Sequence, residues 1–163
     1  MVYAPARGEE SQILVFPYIA GVTVHQFLKD DSEQSTRRNL ARAIGQQAGQ
    51  MIAAGVVNRD HKPSNLIIDD ACANGEQPPV IIDPLGVRTL KRDRQVYRMM
   101  GIMIRTFVRA GRIRPTEAMV TLKEILRANP AFAPGPERLK TVARRVIDTL
   151  ENDERKRVLS ADS

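Results

Sequence analysis

Four side chains near the middle of the chain have the types and spacing that could do chemistry. Asp60, Lys62 and Asn65 lie within Val56–Ile68, Val-Val-Asn-Arg-Asp-His-Lys-Pro-Ser-Asn-Leu-Ile-Ile, and Asp83 ends a second apolar run, Val80–Ile82. Two carboxylates and a carboxamide presented beside adjacent strands make an oxygen-rich site suited to a hard cation such as magnesium. A lysine two residues after the first acid can neutralise a transferring phosphoryl group, and one acid remains to accept a proton from an incoming hydroxyl. Metal, charge neutralisation and a positioned nucleophile are what phosphoryl transfer requires. Each of these residues taken singly suits an ordinary polar turn between a helix and a strand. The joint pattern carries the expectation.

The elements that must hold this cluster can be read on either side of it. Leu66–Ile68 and Val80–Ile82 are short runs of strand formers separated by Asp69–Pro79, a stretch of Asp, Asn, Gly and Pro. They are expected to pair as an antiparallel hairpin with a long loop. Upstream, Leu40, Ile44, Ala48, Met51 and Ile52 fall on one helical face, with Ser35 or Thr36 placed to cap it and Gly55 placed to stop it. Val24–Leu28 suits one or two helical turns. Downstream, a helix from Asp93 carries the stripe Val96, Met99, Met100, Met103, Ile104, Phe107 and Val108 and closes at Gly111. Such a Met-rich stripe is core. A helix from Pro115 turns Met119, Val120, Leu122, Ile125 and Leu126 inward, and Glu137–Leu150 forms the last one, with Leu139, Val142, Val146, Ile147 and Leu150 apolar. The fold class is mostly α with a small antiparallel β-hairpin. Residues 1–12 read as a flexible lead-in, 13–150 as one folded unit, and 151–163 as a polar tail that frays.

Bulk properties narrow the function classes. A length of 163 residues suits one domain with a real core, and 42% hydrophobic with 27% charged residues excludes a disordered chain. The single cysteine, Cys72, excludes an internal disulfide and a Cys-rich zinc site; in its polar turn it is expected to be exposed. No run of 18 apolar residues is present to span a membrane. The cytoplasm is the expected location, with the periphery of the inner membrane as an extension. Net charge is +6, and Arg88, Arg92, Arg94, Arg98, Arg105, Arg109, Arg112 and Arg114 supply much of the basic side. They fit an anionic acceptor or peripheral contact with an anionic membrane, or simply a solvated face. Nucleic acid is disfavoured by the lack of stacking aromatics and of any groove-reading motif. His61 is read as neither ligand nor base, and Asp69 and Asp70 as loop charges.

The spacing of Arg59-Asp60-His61-Lys62-Pro63-Ser64-Asn65 resembles the catalytic loop of the protein-kinase-like superfamily, where Arg-Asp is followed by Lys-Pro and by Asn five residues after the Asp. The strand pair ending at Asp83 resembles that superfamily's hairpin before its metal-binding Asp. Leu14–Gly21 is similar to the last small-lobe strand and the hinge, residues 13–21 forming a hinge-like segment, and Asp93 resembles a buried Asp that ties the next helix back to the loop. The resemblance implies a large C-terminal lobe and an ATP- and magnesium-dependent phosphotransferase. Asp60 would be the catalytic base and Lys62 the γ-phosphate partner. Asn65 and Asp83 would hold magnesium, and Arg59 would be structural. Phe16 (at the gatekeeper place), Ile19 and Ile67 would bind adenine.

Departures from the pattern direct the rest. Asn58 replaces the usual His, and Pro84-Leu85-Gly86 replaces Phe-Gly after the metal Asp. Only nine residues separate Asp83 from Asp93, too few for a peptide-binding activation segment. The shortness resembles bacterial lipopolysaccharide (Kdo and heptose) kinases, whose acceptor is a sugar hydroxyl. No Gly-rich loop, strand Lys or helix Glu precedes Ile13, so the expectation is a lobe that is incomplete by itself. A catalytically inactive pseudokinase or scaffold is the alternative, and a basic nucleic-acid-binding module is the second.

Overall fold

A computed structural model describes residues 18–29, 33–109, 114–130, 132 and 137–161. It is mostly helical with two small antiparallel sheets. In chain order the elements are β1 Val22–Thr23, α1 Val24–Phe27, α2 Gln34–Ala53, β2 Val56–Asn58, β3 Leu66–Ile68, α3 Asp70–Ala73, β4 Val80–Ile81, β5 Val87–Thr89, α4 Asp93–Arg109, α5 Pro115–Ala128 and α6 Arg138–Ala161. Two 3-10 turns, Pro63–Asn65 and Pro84–Gly86, precede β3 and β5. The expected lead-in and residues 13–17 of the hinge-like segment, with the adenine candidate Phe16, lie outside the described residues.

Helix α2 owes its place to small residues as much as to its apolar face. Ala41, Gly45 and Gly49 recur every four residues and are all buried. A Cβ at Gly45 would stand 2.6 Å from the Thr121 carbonyl oxygen, and one at Gly49 would stand 2.7 Å from the Ala128 Cβ. The backbones of α2 and α5 therefore approach closely enough for side chains to reach across to main chain. Thr121 donates to the Ala41 carbonyl at 2.9 Å, and Asn129 donates to the Gly49 carbonyl at 2.9 Å. Arg37 of α2 meets the buried Glu117 of α5, Nε to Oε1 at 3.2 Å. The helix begins at Gln34, and neither Ser35 nor Thr36 caps it: the Ser35 hydroxyl bonds the Glu33 carboxylate instead. Gly55 ends it with a φ of +74°, the left-handed value that glycine adopts without steric cost.

The core is aliphatic and Met-based as expected. Met99, Met100 and Met103 of α4 pack with Leu40, Ile44, Val57, Leu66 and Ile125, joined by Tyr97 and Phe107. Truncating one such residue to Ala costs roughly 2–5 kcal/mol. Met119 and Val120 are only half-buried, and Ile147 is exposed; no described element covers that stretch of α6. Helix α6 extends past Glu151 to Ala161. The sequence places Glu151 and Asp153 four residues before Arg155 and Arg157, a spacing that favours a helix.

The expected hairpin is present. In β3–β4, Leu66 pairs with Ile81 and Ile67 with Val80, antiparallel. Its loop is partly helical: Asp69 caps α3 by accepting from the Cys72 amide at 2.9 Å, so Asp69 is more than a loop charge. Cys72 is buried, not exposed, and burial together with nearby Asp69 raises its thiol to about 11. Strand β1 adds to the other side of β3. Gly21 precedes it with φ +139°, and a Cβ there would meet the Ile68 carbonyl oxygen at 2.4 Å. A second sheet pairs β2 with β5, Val56 with Thr89, Val57 with Arg88 and Asn58 with Val87. Gln47 of α2 donates to the Pro79 carbonyl at the entry to β4.

Candidate functional site

Strand β2 delivers the polar loop, and its last residue organises it. Asn58 is completely buried. Its Oδ1 accepts the Asp60 backbone amide at 2.9 Å, and its own backbone N–H donates to the Met99 sulfur of α4 at 3.2 Å. The buried carboxamide thus turns the chain so that Asp60 points back over the loop. From the other side, the Arg59 amide donates to the Gly86 carbonyl at 2.9 Å. Gly86 lies so close that a Cβ there would stand 2.2 Å from Asn58 Oδ1 and 3.0 Å from the Asp60 Cβ. The turn after Asp83 is therefore packed directly against the loop carrying Asp60.

Three of the four expected residues meet. Lys62 Nζ lies 2.9 Å from Asp60 Oδ2, with both side chains somewhat over a third exposed. Asn65 donates from Nδ2 to the same carboxylate oxygen at 3.0 Å and to the Asp60 carbonyl at 3.2 Å. With its NH2 directed to Asp60, Asn65 has Oδ1 turned away from that carboxylate, where it accepts from the Ser64 hydroxyl at 3.4 Å. An exposed pair such as Lys62–Asp60 contributes at most about 1 kcal/mol, so a substrate can separate it at small cost. Asp83 arrives along β4: the Ile82 amide donates to the Asn65 carbonyl at 3.1 Å, immediately before Asp83. Asp83 Oδ1 accepts the Leu85 amide at 3.1 Å and caps the second 3-10 turn. Among the described residues no hydrogen bond is made to its Oδ2.

Among the described residues, no three His, Cys, Asp or Glu side chains form a group that could hold a metal ion. Magnesium does not demand such a group. It keeps waters and substrate phosphate oxygens around one or two protein ligands, and the chain brings Asn65 and Asp83 to neighbouring strands through the Ile82 amide on the Asn65 carbonyl.

Comparison with protein-family models, curated proteins and solved structures found no match. The function must be argued from the site itself.

The hinge-like residues lie beside the hairpin. Ile67 is half-buried on β3, with its Cγ2 2.9 Å from the Cβ position of Gly21, two residues beyond half-buried Ile19. Asp93 departs from expectation. It is exposed in the first turn of α4, where a carboxylate is favoured by the helix dipole, and the tie between loop and helix is Asn58 to Met99 instead. Two hollows, of about 690 Å³ beside Tyr97 and about 610 Å³ beside Met119, include none of Asp60, Lys62, Asn65 or Asp83.

Two residues matter more than the sequence pattern indicates. Gly86 permits the close contact between the two loops; its one signal is a glycine directly after a Pro-Leu turn. His61, between Asp60 and Lys62, is completely buried, and neither ring nitrogen has a hydrogen-bond partner among the described residues. Burial pushes its imidazole down to about 4, so it is neutral at physiological pH. No sequence signal separates it from its exposed neighbours.

Proposed function

We propose that this chain carries the large lobe of a kinase-like phosphotransferase. It would act with ATP and magnesium on a hydroxyl of a sugar, lipopolysaccharide-type or small acceptor. One observation carries the reading: Asn65 spends its NH2 on Asp60 and keeps its oxygen, beside a strand that ends in Asp83. A base and a metal-binding pair are thereby joined through a single side chain.

In this reading Asp60 accepts the proton of the acceptor hydroxyl. That oxygen bonds to the γ-phosphorus as the bond from phosphorus to the nucleoside diphosphate breaks. Lys62 leaves Asp60 for the γ-phosphate, where its charge offsets that of the transferring group. Magnesium, when bound, would neutralise phosphate charge; Asn65 Oδ1 and Asp83 would be its protein ligands. Ile19 and Ile67 would supply one wall of the adenine site. The short path from Asp83 to Asp93 supports a small or glycan acceptor over a peptide.

The test is nucleotide binding by calorimetry and thermal shift, with and without magnesium. The expected result is magnesium-dependent binding that Asp83→Ala abolishes. Absence of binding for any nucleoside triphosphate, or binding indifferent to Asp83→Ala, would refute the reading. A scaffold without catalysis is the second reading. It is favoured by one observation: Asp60 is already engaged by both Lys62 and Asn65. A stable fold with no nucleotide affinity that captures one defined protein partner would support it.

A further inference from the structure

The basic stretch after Asp83 has no part in the chemistry above. Arg88, Lys91, Arg92 and Arg94 are all exposed. None of the four forms an ion pair among the described residues. The one carboxylate among them, Asp93, is exposed as well. Stability does not account for this arrangement. Three of these cations flank the start of α4, where the helix dipole disfavours positive charge, and each repels the others.

The backbone beneath them is nevertheless fixed. Gln95 Oε1 accepts the amides of Lys91 and Arg92 at 2.7 and 2.9 Å, and its Nε2 donates to the Thr89 carbonyl at 3.4 Å. The Leu90 amide donates to the Gly55 carbonyl at 2.7 Å. At the other end of β5, Arg88 Nη1 donates to the carbonyls of Leu85 and Val87, each at 2.7 Å. That brace holds the turn on which Leu85 stands 79% exposed. A preformed basic tip and a bared leucine thus sit at the two ends of one short strand.

We propose that the stretch from Leu85 to Arg94 docks on an anionic phospholipid surface. Leu85 would enter the headgroup–acyl boundary, and Arg88, Lys91, Arg92 and Arg94 would lie among the headgroups. Exposed apolar tips combined with cations suit the membrane interface. Nucleic acid fits less well, because no aromatic residue lies between Val80 and Val96 to stack on a base. The surface does not depend on the phosphotransfer reading.

The experiment is co-sedimentation of the full chain with vesicles. One set is phosphatidylcholine alone, and in the other a third of the lipid is phosphatidylglycerol. Binding is expected only to the anionic vesicles, and it weakens as salt rises. The variant Lys91→Gln, Arg92→Gln, Arg94→Gln keeps the Arg88 brace and is expected to lose about a hundredfold in affinity, near fivefold per cation. Leu85→Ser is expected to lose about tenfold or more. A control, Lys123→Gln with Arg127→Gln on the exposed side of α5, should bind as the parent does. Thermal melts establish that each variant is folded. No binding to anionic vesicles, an unchanged triple variant, an equal loss in the control, or preferential retention by duplex DNA through the same cations would each overturn the proposal. Failure of magnesium–nucleotide binding would leave it standing.

Discussion

Replacing His61 by Leu gives the sharpest measurable consequence of this structure. The imidazole is fully buried, and both its nitrogens lack partners. Its folded value lies near 4 against an ordinary 6.5, with desolvation as the cause. The sign follows from which state binds the proton. Between those two values the unfolded chain takes up a proton that the folded chain refuses, so stability is fully present above pH 6.5 and falls as pH drops toward 4. The slope is about 1.4 kcal/mol per pH unit inside the window, roughly 3 kcal/mol in all. His61→Leu removes that dependence and also removes two buried, unpaired nitrogens. At neutral pH the variant should therefore be at least as stable as the parent, by up to about 1–3 kcal/mol less any misfit in shape. Urea unfolding of both proteins at pH 7.5, 6 and 4.5 reads the difference, and carboxylate titrations common to both cancel in it. The chain has only two histidines, so loss of one set of imidazole proton signals in the variant assigns the titration. Parallel pH profiles for the two proteins, or a His61 signal titrating near 6.5, would refute the reasoning.

Other perturbations test the frame around the site. Gly86→Ala would drive a Cβ to within 2.2 Å of Asn58 Oδ1; a loss of about 1–3 kcal/mol is expected, and an unchanged urea midpoint would show that the two loops are not in contact. Arg37→Met strands the buried Glu117 carboxylate, for which the expected cost is about 3–5 kcal/mol. The double change Arg37→Met, Glu117→Leu should recover much of that loss, and a thermal melt of each shows whether it does.

The sequence was informative where periodicity or polarity repeats, and silent where one contact decides. The α4 stripe and the β3–β4 hairpin were legible because Met99, Met100 and Met103, and Leu66–Ile68 with Val80–Ile82, follow the periods of a helix and a strand pair. Sheet β2–β5 was not, because Val56–Asn58 and Val87–Thr89 are too short for a period and pair across a long stretch of chain. The row Ala41, Gly45, Gly49 is invisible in the sequence for a different reason: residues without bulk register on no apolar pattern, yet they set how close α2 and α5 come. Within the site, the grouping of Asp60, Lys62 and Asn65 could be anticipated from spacing. The burial of His61 could not, since a histidine between two charged residues looks like any other loop side chain. Cys72 misled for the same reason, its polar turn proving to be a capped helical turn that directs the thiol inward.

The close seat of α2 against α5 also sets a hierarchy of opening. Every candidate residue from Asn58 to Asp83 lies on residues 54–114, an excursion of the chain that leaves from the end of α2 and returns at the start of α5. The helix pair closes that loop, so strands of two or three residues, too short to persist alone, form in a chain whose ends are already joined. The excursion can open while the helices stay together, whereas parting the helices dissolves the excursion with them. Amide exchange in β3 and β4 should accordingly never be slower than in α2 and α5. A ligand that orders the site would then slow exchange in the strands first and leave the helix pair unchanged.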